Sequence, residues 1–222
     1  MNERTLGQKI WAGEYEGPEG ALALESKDFP GQCLLDPVEA LSARSSLYHS
    51  YAGNLMRKGG KWQRPLHFPK AMVYLCLAMR ASDAMLRRAG GMQYLTADQL
   101  DVRQSILRKT GRKQEAIECI EAALSRPSLK PHTHALLLIG LGETTGDIDS
   151  ILAAYHFIGT IERSGELEQL VRVLRHCARQ FLRHGYIDEA DDANRRAGEI
   201  AKKIGARDQL IKMGAVAEIK KG

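Results

Sequence analysis

Four arginines pose the main chemical question in this sequence. Arg172, Arg175, Arg179 and Arg183 stand 3, 4 and 4 residues apart, which places them along one face of an α-helix. His176 lies beside the stripe and adds charge below its pKa. A guanidinium offers a planar fork of donors, so a row of them suits carboxylates or phosphates. An acidic protein segment is the expected ligand. Nucleic acid is the weaker alternative, because no aromatic side chains interleave the stripe for base stacking and no recognition module is present. The competing reading is a solvated face partly neutralised by Asp188, Glu189, Asp191 and Asp192 on the next helix. Charge placement favours a basic end: residues 172–222 hold 12 basic and 7 acidic side chains, whereas residues 1–171 hold 20 of each, so the net charge of +5 belongs to the last quarter of the chain.

Other candidate chemistry is thin. His132 and His134 flank Thr133, but no nearby Cys or third His completes a metal set. The glycines of GLGETTG follow no strand and lack the lysine of a phosphate-binding loop, so a turn between helices explains them. Glu115, Glu118 and Glu121 recur every third residue behind Arg112 and Lys113, as on a solvated helix face. Cys33, Cys76, Cys119 and Cys177 are 43, 43 and 58 residues apart, too scattered for a zinc site or a disulfide framework. The last three fall in apolar helical patterns, where a reduced cysteine serves as a small hydrophobe. Nothing nominates a nucleophile, base and orienting group together. The expectation is a protein that is not an enzyme and needs neither cofactor nor metal.

The elements that must carry the stripe are helices. Aromatics are 6% of the chain, while Ala, Leu, Arg and Glu are abundant. Residues 1–36, with five glycines and two prolines, lack sustained periodicity and read as an irregular arm. Trp11 and Tyr15 in that arm are expected to dock, either on their own domain or on a partner subunit. From Pro37 onward amphipathic helices alternate with turns. The first spans about 38–57 and stops at Gly59-Gly60. A proline-containing loop follows, then a helix over 69–89 that opens on Pro69, stops at Gly90-Gly91 and carries AMVYLCLAM, which implies burial on most sides. Thr96 with Gln99 forms a capping box opening the next helix. Three more pairs and a final helix from Ala206 complete the chain. No apolar run approaches the roughly 20 residues needed to span a bilayer. With the acidic start of the chain (Glu3, Glu14, Glu16, Glu19), this predicts a cytoplasmic location.

Turn spacing sets the architecture. Gly111, Gly146 and Gly185 mark turns within pairs, 35 and 39 residues apart, and Pro127, Gly165 and Gly205 mark turns between pairs, 38 and 40 apart. A helix–turn–helix unit recurring at that period indicates an α-solenoid, since one pair cannot bury its apolar face alone. Here the chain resembles the tetratricopeptide repeat family. Gly111, Ala116 and Ala123 match its glycine–small–small pattern, as do Gly185, Ala190 and Ala197. Gly146 matches too, but Ile151 and Ile158 stand where small residues are expected. Leu107 and Phe181 would fill the aromatic slot. The resemblance covers 96–205 well and 38–91 loosely. It implies four stacked pairs over 37–222 with a C-terminal capping helix, the first helix of each pair lining a groove, and work as an adaptor or assembly subunit that binds other proteins through the stripe and the arm.

Overall fold

The structure is a computed structural model that describes residues 37–57 and 64–205. The arm with Trp11, Tyr15 and Cys33, and the expected last helix, lie outside these residues. The described residues form helices joined by short turns, with no strand among them. The chain divides into two compact units, one ending at Ala122 and the other beginning at Ala123.

In the first unit, α1 (Pro37–Arg57) packs along α2 (Arg64–Ala89). α2 begins five residues before the expected Pro69, which sits inside the helix and not at its start. A proline there removes one backbone hydrogen bond, and the helix tolerates the loss close to its N-terminus. The double glycine ends α2 as expected, with Gly90 at φ 82° and Gly91 at φ 135°. After a single 3₁₀ turn (Met92–Tyr94), α3 (Ala97–Lys109) opens on the capping box: Gln99 N–H donates to Thr96 Oγ1 at 3.2 Å, and Thr96 N–H donates to Gln99 Oε1 at 2.8 Å. α4 (Lys113–Leu124) follows the turn at Gly111. The core joins Ala52 of α1, Leu75 and Ala78 of α2, and Val102 and Ile106 of α3.

α2 is less enclosed than its sequence implies. Val73 is 58% exposed and Cys76 is exposed, so AMVYLCLAM is not buried on most sides. α1 and α3 take the face carrying Ala71, Leu75 and Ala78, and the opposite face meets solvent.

The second unit holds α5 (Pro131–Thr145), α6 (Ile148–His156), α7 (Ile158–Arg163), α8 (Leu167–Arg183) and α9 (Ile187–Lys203). Of the GLGETTG glycines, Gly140 and Gly142 lie inside α5. The turn is made by Gly146 alone, at φ 81°. The expected single helix over 147–165 is interrupted at Phe157, where the bonding tightens to Phe157 N–H→Ala154 C=O and the ring stacks on His134 at 4.4 Å.

Gly142 also accounts for Ile151 at a position where a small residue was expected. A Cβ on Gly142 would come within 2.5 Å of Ile151 Cδ1 and 2.7 Å of the Asp147 carbonyl oxygen. The close approach of α5 and α6 is kept, with the small and large partners exchanged. In α9 the small residues stay in place: Ala190, Ala193, Ala197 and Ala201 are fully buried and form the face that packs on α8.

Four polar links tie this unit together in a regular way. His132 Nδ1 meets Glu166 Oε2 at 2.7 Å, and Gln180 donates to Glu143. Tyr155 O–H donates to Asp192 at 2.7 Å, and Arg196 faces Glu162 at 3.7 Å. Each joins residues 34 or 37 positions apart. The first two align α5 and α8 in parallel, and the last two do the same for α6–α7 and α9.

Candidate functional site

α8 carries the stripe, and its position is fixed from both ends and one face. Gly165 and Gly185 bracket it at φ 76° and 83°, conformations that glycine adopts without steric cost. Leu170, Val171, Val173, Leu174, Cys177, Ala178 and Phe181 are buried. Fully burying a side chain such as Phe181 contributes roughly 1.5–3 kcal/mol. Burial also pushes the Cys177 thiol up to about 12, so it stays protonated.

The remaining face holds Arg172, Arg175, His176 and Arg179, all half-buried, and Arg183, exposed. This is a correction to a simple solvated stripe: most of its members lie partly within the fold. Arg172, Arg175 and His176 are engaged by other groups of the chain. Arg179 differs. Burial lowers its pKa, and the neighbouring positive charge of Arg183 lowers it further. No described carboxylate pairs with it.

Neutralisation of the stripe by α9, the competing reading, is not what the structure shows for Asp192. That carboxylate accepts from Tyr155 and pairs with Arg195 of its own helix, and these bonds hold its pKa below the usual range. Asp188 and Glu189 are exposed in the first turn of α9 and form no ion pair with the stripe arginines. Gln180, beside Arg179, is committed to Glu143. Chemically, the arrangement is a cationic face on which Arg179 pairs with no described carboxylate.

The other sequence candidates separate. His132 is bound to Glu166, while His134 stacks on Phe157 and is held below its usual pKa by burial, so the two rings serve different neighbours. Among the described residues no three metal-ligating side chains cluster. Cys119 and Cys177 are buried and Cys76 is exposed.

A polar cluster in the first unit was not anticipated. Arg103, 3% exposed, donates to Asp83 at 2.8 Å and to Ser82 at 2.9 Å. Arg112 reaches the other oxygen of Asp83 at 3.5 Å and also pairs with Glu115. Cys119 lies against Arg103, and burial raises its pKa although the guanidinium opposes the shift. Arg103 sits in the middle of an otherwise apolar helical face, which is the one signal the sequence offered.

Comparison with protein-family models, curated proteins and solved structures finds no match to this chain. Among the described residues no helix is long and apolar enough to cross a membrane.

Proposed function

We propose that this chain is a non-catalytic adaptor or assembly subunit of the tetratricopeptide type, and that the α8 face grips an acidic segment of a partner protein. Arg179 carries the reading. A partly buried guanidinium beside a second cation, with no described carboxylate to answer it, costs stability in the free protein and regains it when an anion arrives. The repeat assignment is supported by left-handed glycines at Gly111, Gly146 and Gly185, by the buried alanines at Ala116, Ala123, Ala190 and Ala197, and by the recurring offset of 34 or 37 residues between bonded helices. Such arrays present long surfaces without a catalytic pocket.

The test is capture from the native cell with the unaltered chain and with Arg175→Glu/Arg179→Glu, followed by mass spectrometry. Loss of one set of co-purifying chains is expected, and an identical set from both baits refutes the assignment. Titrating salt against an RNA or DNA oligonucleotide addresses the alternative. Binding that falls steeply with salt and vanishes in the double variant would move the ligand from carboxylate to phosphate.

A further inference from the structure

The cations of α8 fall into two sets. Arg172, Arg175 and His176 are engaged by other groups of the chain. Arg179 and Arg183 pair with no described carboxylate, and they stand one turn apart on the same side of the helix. Four residues separate their backbones by about 6 Å along the axis. The two are near enough that the charge of Arg183 acts on Arg179. Both forks are also restrained. Arg179 is half-buried, which limits where its guanidinium can go. Arg183 Nη1 donates to Gln180 Oε1 at 3.4 Å, and the buried Gln180 donates in turn to Glu143 of α5. The residue that links α8 to α5 therefore also holds Arg183 beside Arg179.

Two like charges held side by side favour one ligand that answers both. A carboxylate brings a single charge and two oxygens, which satisfy one fork and leave the other cation unanswered. A phosphodiester of nucleic acid likewise brings one charge per group. A phosphate monoester carries about −1.5 to −2 at pH 7 and three strong acceptor oxygens, enough to accept from two guanidinium forks at once. Arginine suits this better than lysine, because its planar donors meet two oxygens of one group. We infer that Arg179 and Arg183 clamp a single phosphoryl monoester, carried by a phosphorylated serine or threonine within the partner's acidic segment. This rests on the reading of α8 as the partner-binding face and sharpens it, since capture of the partner becomes conditional on its phosphorylation.

Two fluorescein-labelled peptides of alternating glycine and serine decide the question, one with a central phosphoserine and one with glutamate in its place. Titrated with the full chain and followed by anisotropy, the phosphoserine peptide should bind about tenfold more tightly than the glutamate peptide. Arg183→Gln, a change at an exposed side chain, should abolish that preference while circular dichroism stays unchanged. Arg183→Lys, which keeps the charge without the fork, should restore only part of it. Equal affinity for the two peptides overturns the clamp and leaves the carboxylate reading standing. An unmodified single-stranded oligonucleotide that displaces the phosphoserine peptide at equal concentration also overturns it, by moving the ligand to phosphodiesters. Partner capture from lysate treated with phosphatase separates the two readings. Partners kept after treatment but lost with Arg175→Glu/Arg179→Glu sink the clamp alone. Phosphoserine binding alongside capture that ignores the double variant sinks the acidic-partner reading alone.

Discussion

Two arginines drawn into the fold, one in each unit, are treated in opposite ways. Arg103 in the first unit is almost wholly enclosed and fully answered, by Asp83 and Ser82. Arg179 in the second is partly enclosed and faces only another arginine. Around Arg103 the charges are used to hold helices α2, α3 and α4 in place. Around α8 the holding combines close fit against the buried alanines of α9 with the links from Glu166 and Gln180 to α5. The difference teaches how to sort charged residues in a helical array. A guanidinium such as Arg103, with its carboxylate in place, serves the fold, whereas Arg179 pairs with no described carboxylate.

The largest effect should come from unmatching the matched arginine. Asp83→Ala leaves Arg103 buried without its carboxylate and should destabilise the protein by about 3 kcal/mol in urea denaturation. Replacing both by leucine should recover most of that, and failure to recover would show that packing, not charge, dominates the first unit as well. Gly142→Ala probes the second unit's dependence on fit. The added methyl meets both a side chain and a backbone carbonyl, so a loss of about 2 kcal/mol is expected. Ile151→Val in the same chain should restore only part of it, since the Asp147 carbonyl stays in place. Thr96→Ala removes the α3 cap and should cost about 1 kcal/mol.

A pH experiment separates the units further. Burial lowers the pKa of His134 in the second unit below its ordinary 6.5. The unfolded chain therefore takes up the proton first, and native stability falls as pH drops below about 6.5, levelling off once the folded histidine also titrates. Hydrogen exchange should show that loss in α5 to α9, and His134→Phe should flatten it below about pH 6.5. The smallest stability change is expected at the unmatched arginine. Arg179→Leu keeps the stem's packing and drops an unanswered charge, so it should leave stability within about 0.5 kcal/mol of the parent or raise it. A loss of more than about 2 kcal/mol would show that Arg179 is as structural as Arg103.

Much of the local architecture was legible from single residues. Glycine after an amphipathic run at 111, 146, 165, 185 and 205 predicted chain reversals, and each has positive φ, because few other residues take that conformation. Thr96 and Gln99 predicted their reciprocal cap for a similarly local reason. What failed depended on neighbours. AMVYLCLAM contains no sign that only one side of α2 would be covered. The GLGETTG glycines looked like a turn, and Gly142 makes sense only with Ile151 across from it. The stripe was found by its helical spacing, but its partial burial, and the commitment of Asp192 to Tyr155 instead of to the stripe, arise from how α8 and α9 are turned about their axes. Periodicity alone does not fix that rotation.

The recurring offset in the second unit carries a mechanical implication. Each of the four links ties a residue to its counterpart one hairpin further along, and none of them skips a hairpin. Damage to one hairpin is then transmitted to its immediate neighbour and stops there. Under tension the unit should pay out its length in hairpin-sized steps, with a load on α8 passed to α5 through Glu166 and Gln180.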